Sequence, residues 1–135
     1  MELSLNYAAI LVAAIVNFIV GAVWHGPLFG KHWMKLAGIT HEEMKRMPLT
    51  PAQAMLLGFV NTLLMTFVLS LFGNTWNPEG VTGAFTLAFW PWLGFVVPML
   101  ANSVLWEGKS WKLFGFNISY QLVSLFVTAL VLVSW

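Results

Sequence analysis

Trp24-His25-Gly26-Pro27-Leu28-Phe29-Gly30-Lys31-His32-Trp33-Met34-Lys35-Leu36 decides how the rest of this chain is read. It mixes tryptophans, glycines, a proline and lysines, as segments do where hydrocarbon gives way to water. Indole rings settle at headgroup level there, and lysine heads reach past them into solvent. To its left, residues 5–23 are apolar except for Asn6 and Asn17. A run of about 20 such residues at 1.5 Å each crosses a bilayer. Gly26-Pro27 is expected to end that span, because proline has no N–H to donate and its ring crowds the preceding turn. Phe29, Trp33 and Leu36 then recur at helical spacing, with Lys31 and Lys35 elsewhere on the wheel. That pattern predicts a short amphipathic helix lying in the interface, stopped by Gly38.

Outward from there, Thr40 and Glu43 have the spacing of a capping box, as do Thr50 and Gln53 around Pro51. A second span is predicted from there to about residue 72, followed by the turn-rich Gly73-Asn74-Thr75-Trp76-Asn77-Pro78-Glu79-Gly80. The third span, residues 82–106, contains Pro91 and Pro98, expected to kink it and to free the carbonyls of Leu87 and Gly94. A bend at Pro91 would turn Trp90 and Trp92 towards one layer. The fourth span covers residues 111–135, with a tryptophan at either end. The fold is thus predicted to be an all-α membrane protein. It is a single domain, residues 1–135, with four transmembrane helices and a short interfacial helix between the first two.

Composition agrees. The chain is 59% hydrophobic and 8% charged, against about a quarter charged in soluble domains. A net charge of +1 excludes the clustered basic surface that nucleic acid demands. The absence of cysteine removes disulfides, thiolate ligands and cysteine nucleophiles. Met1-Glu2-Leu3-Ser4 lacks a basic leader region, so the first span is expected to be retained. Every Lys and Arg (Lys31, Lys35, Lys45, Arg46, Lys109 and Lys112) follows an odd-numbered span, whereas the loop after the second span carries only Glu79. The positive-inside rule then places both termini outside the cytoplasm.

Each span carries a stripe of small or polar residues. These are Ala9, Ala13, Asn17 and Gly21; Gly58, Thr62, Thr66 and Ser70, with Asn61 beside them; Gly94, Pro98, Asn102 and Trp106; and Asn117, Tyr120, Gln121, Ser124 and Thr128. Such stripes either glue helices together or line a polar path. Counted from the basic ends, Asn17, Asn61, Asn102 and Asn117 fall within roughly 6 to 15 Å of the boundary. They predict one polar layer, with Gln121 a turn deeper. Two of the four facing lipid would remove that support for a transport role. Ala8, Ala9, Ala13 and Ala14 invite close helix approach and suggest a homo-oligomer with the first span near its contact.

His25, His32 and His41 share the first basic loop with Glu42 and Glu43 and are weak metal candidates, because no ligand spacing is matched. Apart from Lys112 at the entrance of the fourth, no Asp, Glu, Lys, Arg or His falls within the predicted spans. This argues against proton coupling, and against intramembrane catalysis, which needs an acid–base pair. The sequence calls for no cofactor. Gly-Lys-x-Trp recurs at Gly108-Lys109-Ser110-Trp111, two residues after Trp106, so Trp24, Pro27, Lys31 and Trp33 have an echo in Trp106, Lys109 and Trp111. Like interfacial chemistry at two places accounts for it better than two halves of a parallel repeat, because the spans themselves align poorly.

The Trp-x-x-Pro-Leu-Phe-Gly-Lys-x-Trp run, with Trp92-Leu93-Gly94-Phe95 and the segment from Asn102 through Tyr120-Gln121-Leu122-Val123, resembles a widespread bacterial family of small four-span membrane proteins. That family is catalogued as a domain of unknown function. The resemblance implies the architecture and a place in the bacterial inner membrane. It assigns no activity and no functional residues, and an aromatic residue often stands at the position of His25 in similar sequences. Passage or binding of a small solute or ion is the leading expectation. A non-catalytic structural or accessory subunit is the alternative, and an interfacial enzyme using His25 and Glu107 comes third. Topology is directly testable: cysteines placed singly at Lys45 and Glu79 should react with an impermeant reagent from opposite faces of the membrane. Labelling of both from one face refutes four spans.

Overall fold

The structure is a computed structural model and describes residues 5–135. The expectation about the leader-free start falls on residues 1–4, outside the described residues. Among the described residues, seven α-helices succeed one another: α1 (Tyr7–Val23), α2 (Gly30–Ala37), α3 (His41–Lys45), α4 (Pro51–Trp76), α5 (Gly80–Pro91), α6 (Val97–Leu105) and α7 (Trp111–Ser134). π-helical turns, Trp24–Leu28 and Trp92–Val96, continue α1 and join α5 to α6. Four stretches are long and apolar enough to cross a membrane: Tyr7–Leu28, Pro51–Trp76, Gly80–Leu105 and Trp111–Ser134. The predicted four-span, all-α architecture is the one found, and the interfacial α2 ends where Gly38 takes a left-handed φ of 70°.

Capping sets the helix starts. Thr50 and Gln53 form a complete capping box at α4, whereas at α3 Thr40 accepts the Glu43 N–H without a reciprocal bond among the described residues. Asn6 caps α1 by accepting the Ala9 N–H, and Ser110 caps α7. α4 runs past residue 72 to Trp76 and stops where Asn77 takes a φ of 52°.

α7 packs most extensively, against α1 on one side and α5 on the other, while α4 closes the bundle against α1. The core beside α5 is Leu69, Ala84, Leu87, Ala88, Leu125 and Ala129, where alanines let backbones approach and dispersion contacts accumulate. Ala9, Ala13 and Ala14 are buried within the protomer, so most of the alanine surface expected at an oligomer contact packs inside one chain.

Gly26-Pro27 ends the first span as expected, and both proline sites carry a π-type turn. Phe29 N–H donates to Trp24 O at 2.9 Å, one residue longer than an α-turn, and Gly26 leaves helical dihedrals to turn the chain. Pro98 falls in the first turn of α6, where a missing N–H costs nothing, and Val97 N–H reaches back to Trp92 O. The extra residue of a π-turn absorbs the proline that an α-helix cannot. Trp90 and Trp92 part company there. Trp90 is exposed, while Trp92 turns inward and its Nε1 donates to Ile118 O at 2.7 Å.

The first π-turn depends on Gly30. A Cβ there would lie 2.6 Å from the His25 carbonyl oxygen, whereas one at Gly115 would meet nothing within 4 Å. Gly30→Ala should therefore destabilise the protein by about 1–3 kcal/mol. Gly115→Ala, mid-helix in α7, should cost nothing. Thermal unfolding in detergent compares the two, and equal melting temperatures would contradict this account.

Candidate functional site

Three of the four stripes turn inward onto one seam. α1 contributes Ala9, Ala13, Asn17 and Gly21, α4 contributes Gly58, Thr62, Thr66 and Ser70, and α7 contributes Tyr120, Ser124 and Thr128. At the centre, Asn17 is only 4% exposed. Its Nδ2 donates to Ser124 Oγ at 2.6 Å and to Thr128 Oγ1 at 2.8 Å, with Ser124 O at 3.4 Å. The Thr128 hydroxyl donates to Ser124 O, and Thr62 and Thr66 donate to carbonyls of their own helix. Asn17 Oδ1 accepts no hydrogen bond from the described residues.

A cleft opens at each end of this seam. Towards the basic loops, one of about 300 Å³ is lined by Asn17, Phe18, Gly21, Ala22, Met55, Gly58, Thr62 and Tyr120. The bare Gly21 admits the Tyr120 hydroxyl, which would sit 2.6 Å from a Cβ at that position. Towards the opposite end, one of about 220 Å³ is lined by Asn6, Ala9, Ser70, Gly73, Asn74, Asn77, Leu87 and Trp135, among others. Ala9 and Asn17, which face different clefts, are about 12 Å apart along α1. Between the clefts, Ala13, Thr66 and Thr128 are fully buried and Ser124 is 2% exposed, so this layer closes the seam. Its amide and hydroxyls are uncharged. The arrangement offers a polar solute neutral donors and acceptors on both sides of a packed neck.

The predicted layer of Asn17, Asn61, Asn102 and Asn117 does not form. Asn61 and Asn102 lie on the exposed surface, while Asn117 and Gln121 are half-buried without a side-chain hydrogen bond among the described residues. Asn17 meets Ser124 and Thr128, about two turns or more along α7 from Asn117. Gly94, Pro98, Asn102 and Trp106 all lie on an exposed face of the third span. Asn61, one residue before Thr62, sits about 100° off the inward stripe of α4. Sequence reasoning also passed over Asn6, Asn74 and Asn77 as cleft residues. Their only signal was asparagine at two helix ends, the start of α1 and the end of α4.

The histidines do not converge. The His25 ring packs edge-on against Tyr120, with centroids 4.6 Å apart, and against Trp33, and its Nδ1 lies 3.1 Å from Gly21 O. His32 lies beside Phe116, and His41 is exposed in α3. Among the described residues, no three His, Asp or Glu side chains gather as a metal site. Of the interfacial motif, Trp24 and Trp33 are half-buried, and Trp24 packs against Phe29, Phe116 and Tyr120. Pro27, Lys31, Trp106, Lys109 and Trp111 are exposed. The two Gly-Lys-x-Trp copies differ in conformation: Gly30 opens a helix, whereas Gly108 has a φ of 68° in a loop.

No curated protein and no solved structure matches the chain. A family model does match, over residues 8–133, so the chain belongs to the family described as Protein of unknown function (DUF1761).

Proposed function

We propose that this protein binds a small, neutral, polar solute in its membrane-spanning bundle and passes it along the seam between α1, α4 and α7. The observation that carries this reading is the pair of clefts on one seam. Each is large enough for a molecule of a few heavy atoms, and a layer of small and hydroxyl-bearing residues separates them. The asparagine layer that first suggested passage is gone, and this neck replaces it as support. Uncharged walls favour a neutral solute, since an ion would leave its hydration shell without a compensating charge. The same reading puts the protein in a bacterial inner membrane with both termini outside, supported by the basic residues of the loops after the first and third spans. No enzymatic role is assigned to it.

One observation favours the alternative, a structural or accessory subunit. Both Asn17 amide hydrogens are spent on Ser124 and Thr128, as helix-to-helix glue requires. A single experiment separates the two. Proteoliposomes are given glycerol or urea gradients and followed by light scattering. The solute reading expects swelling faster than in empty vesicles. Gly58→Leu should fill the cleft nearer the basic loops and slow the flux at least tenfold while helix content is retained; a Cβ at Gly58 meets only Phe18, at 4.0 Å. Rates equal to those of empty vesicles for both solutes would leave the structural reading standing.

A further inference from the structure

α4 is the least covered of the four spans. Its most apolar window is 11% buried, against 22–28% in the others. Its inward stripe lines the seam. Its outer face presents Leu57 at 54% exposure, Asn61, Leu64 at 63% and Val68 at 40%. The spacing of four, three and four residues is that of a coiled-coil seam with one asparagine set among aliphatic side chains.

That asparagine is out of place against lipid. It is the eleventh residue of the 26 in α4, about 15 Å along the axis from Pro51, so it lies well inside a hydrocarbon layer of about 30 Å. Its amide has no partner among the described residues. Asn102 is also exposed, but it sits one turn from Trp106, within reach of headgroups. For Asn61, facing acyl chains would cost several kcal/mol.

We propose that α4 packs against α4 of a second copy, about a two-fold axis along the membrane normal, with the Asn61 amides of the two copies bonded to each other. Copies inserted the same way round carry Asn61 at the same depth. A primary amide offers both donor and acceptor, so two related by a two-fold axis satisfy each other reciprocally. Leu57, Leu64 and Val68 supply the interdigitating contacts on either side. A different partner would have to present a matching polar group at that depth, and this chain already does so. The contact stands whether or not the seam passes a solute.

The chain has no cysteine, so single-cysteine variants report the contact directly. Leu57→Cys, Asn61→Cys and Leu64→Cys, oxidised in native membranes, should give disulfide-linked dimers of this chain. Met99→Cys on α6, 72% exposed, should not. Asn61→Leu should weaken dimerisation about tenfold, and Asn61→Gln should retain it. Because Asn61 is exposed in the protomer, neither change disturbs the bundle, and helix content verifies this. The proposal is overturned if the α4 cysteines stay monomeric, if Met99→Cys cross-links equally, if the linked product contains another protein, or if Asn61→Leu dimerises as tightly as the unmodified chain.

Discussion

The Asn17 amide joins α1 to α7 across 107 residues of sequence, and the register of the bundle depends on it. In a low-dielectric interior, an amide without partners costs several kcal/mol. Sliding α1 along α7 by one turn, about 5.4 Å, would strand it. The alanines flanking Asn17 let the helices come close enough for bonds of 2.6 and 2.8 Å to two hydroxyls. Once that contact is fixed, so is the height of the neck that Ala13, Thr66 and Thr128 form. The clefts above and below lie where the small residues of the three helices run out of matching bulk.

The π-turns serve the same end. Each begins with a tryptophan that packs onto α7. Trp92 gives its indole N–H to Ile118 O, and Trp24 lies among the rings of Phe116 and Tyr120. Trp24 Nε1 is buried without a hydrogen-bond acceptor among the described residues, so the neighbouring aromatic faces are what surround it. A π-turn widens the helix by one residue and re-aims everything beyond it. In the first span, this directs the chain into the interfacial α2. In the third, it carries Trp92 onto α7 and leads into α6, where Pro98 falls in the first turn.

Much of the fold was legible because the signals are local. Apolar run length gave the four spans. Thr50 and Gln53 gave the start of α4, and Gly38 gave the end of α2. Three of the four stripes were read with the right inward face. What failed depended on phase or on pairing. Small and polar residues were taken to face the bundle, but the stripe through Asn102 lies on an exposed face. That Asn17 pairs with Ser124 and Thr128 is a three-dimensional fact, and neither stripe alone names its partner. The cleft away from the basic loops was missed because Asn6 read as an interruption of an apolar run and Asn74 and Asn77 as loop residues, whereas Asn6 caps α1 and Asn74 lies near the end of α4.

The chemistry of the neck bears on how the protein would respond to an energised membrane. A transmembrane potential does work only on charge, about 2.3 kcal/mol per elementary charge per 100 mV. Asn17, Thr62, Thr66, Ser124 and Thr128 carry none. If the seam opens to pass a solute as proposed, parting these side chains moves no formal charge on them, and the concentration difference rather than the electrical gradient drives the passage.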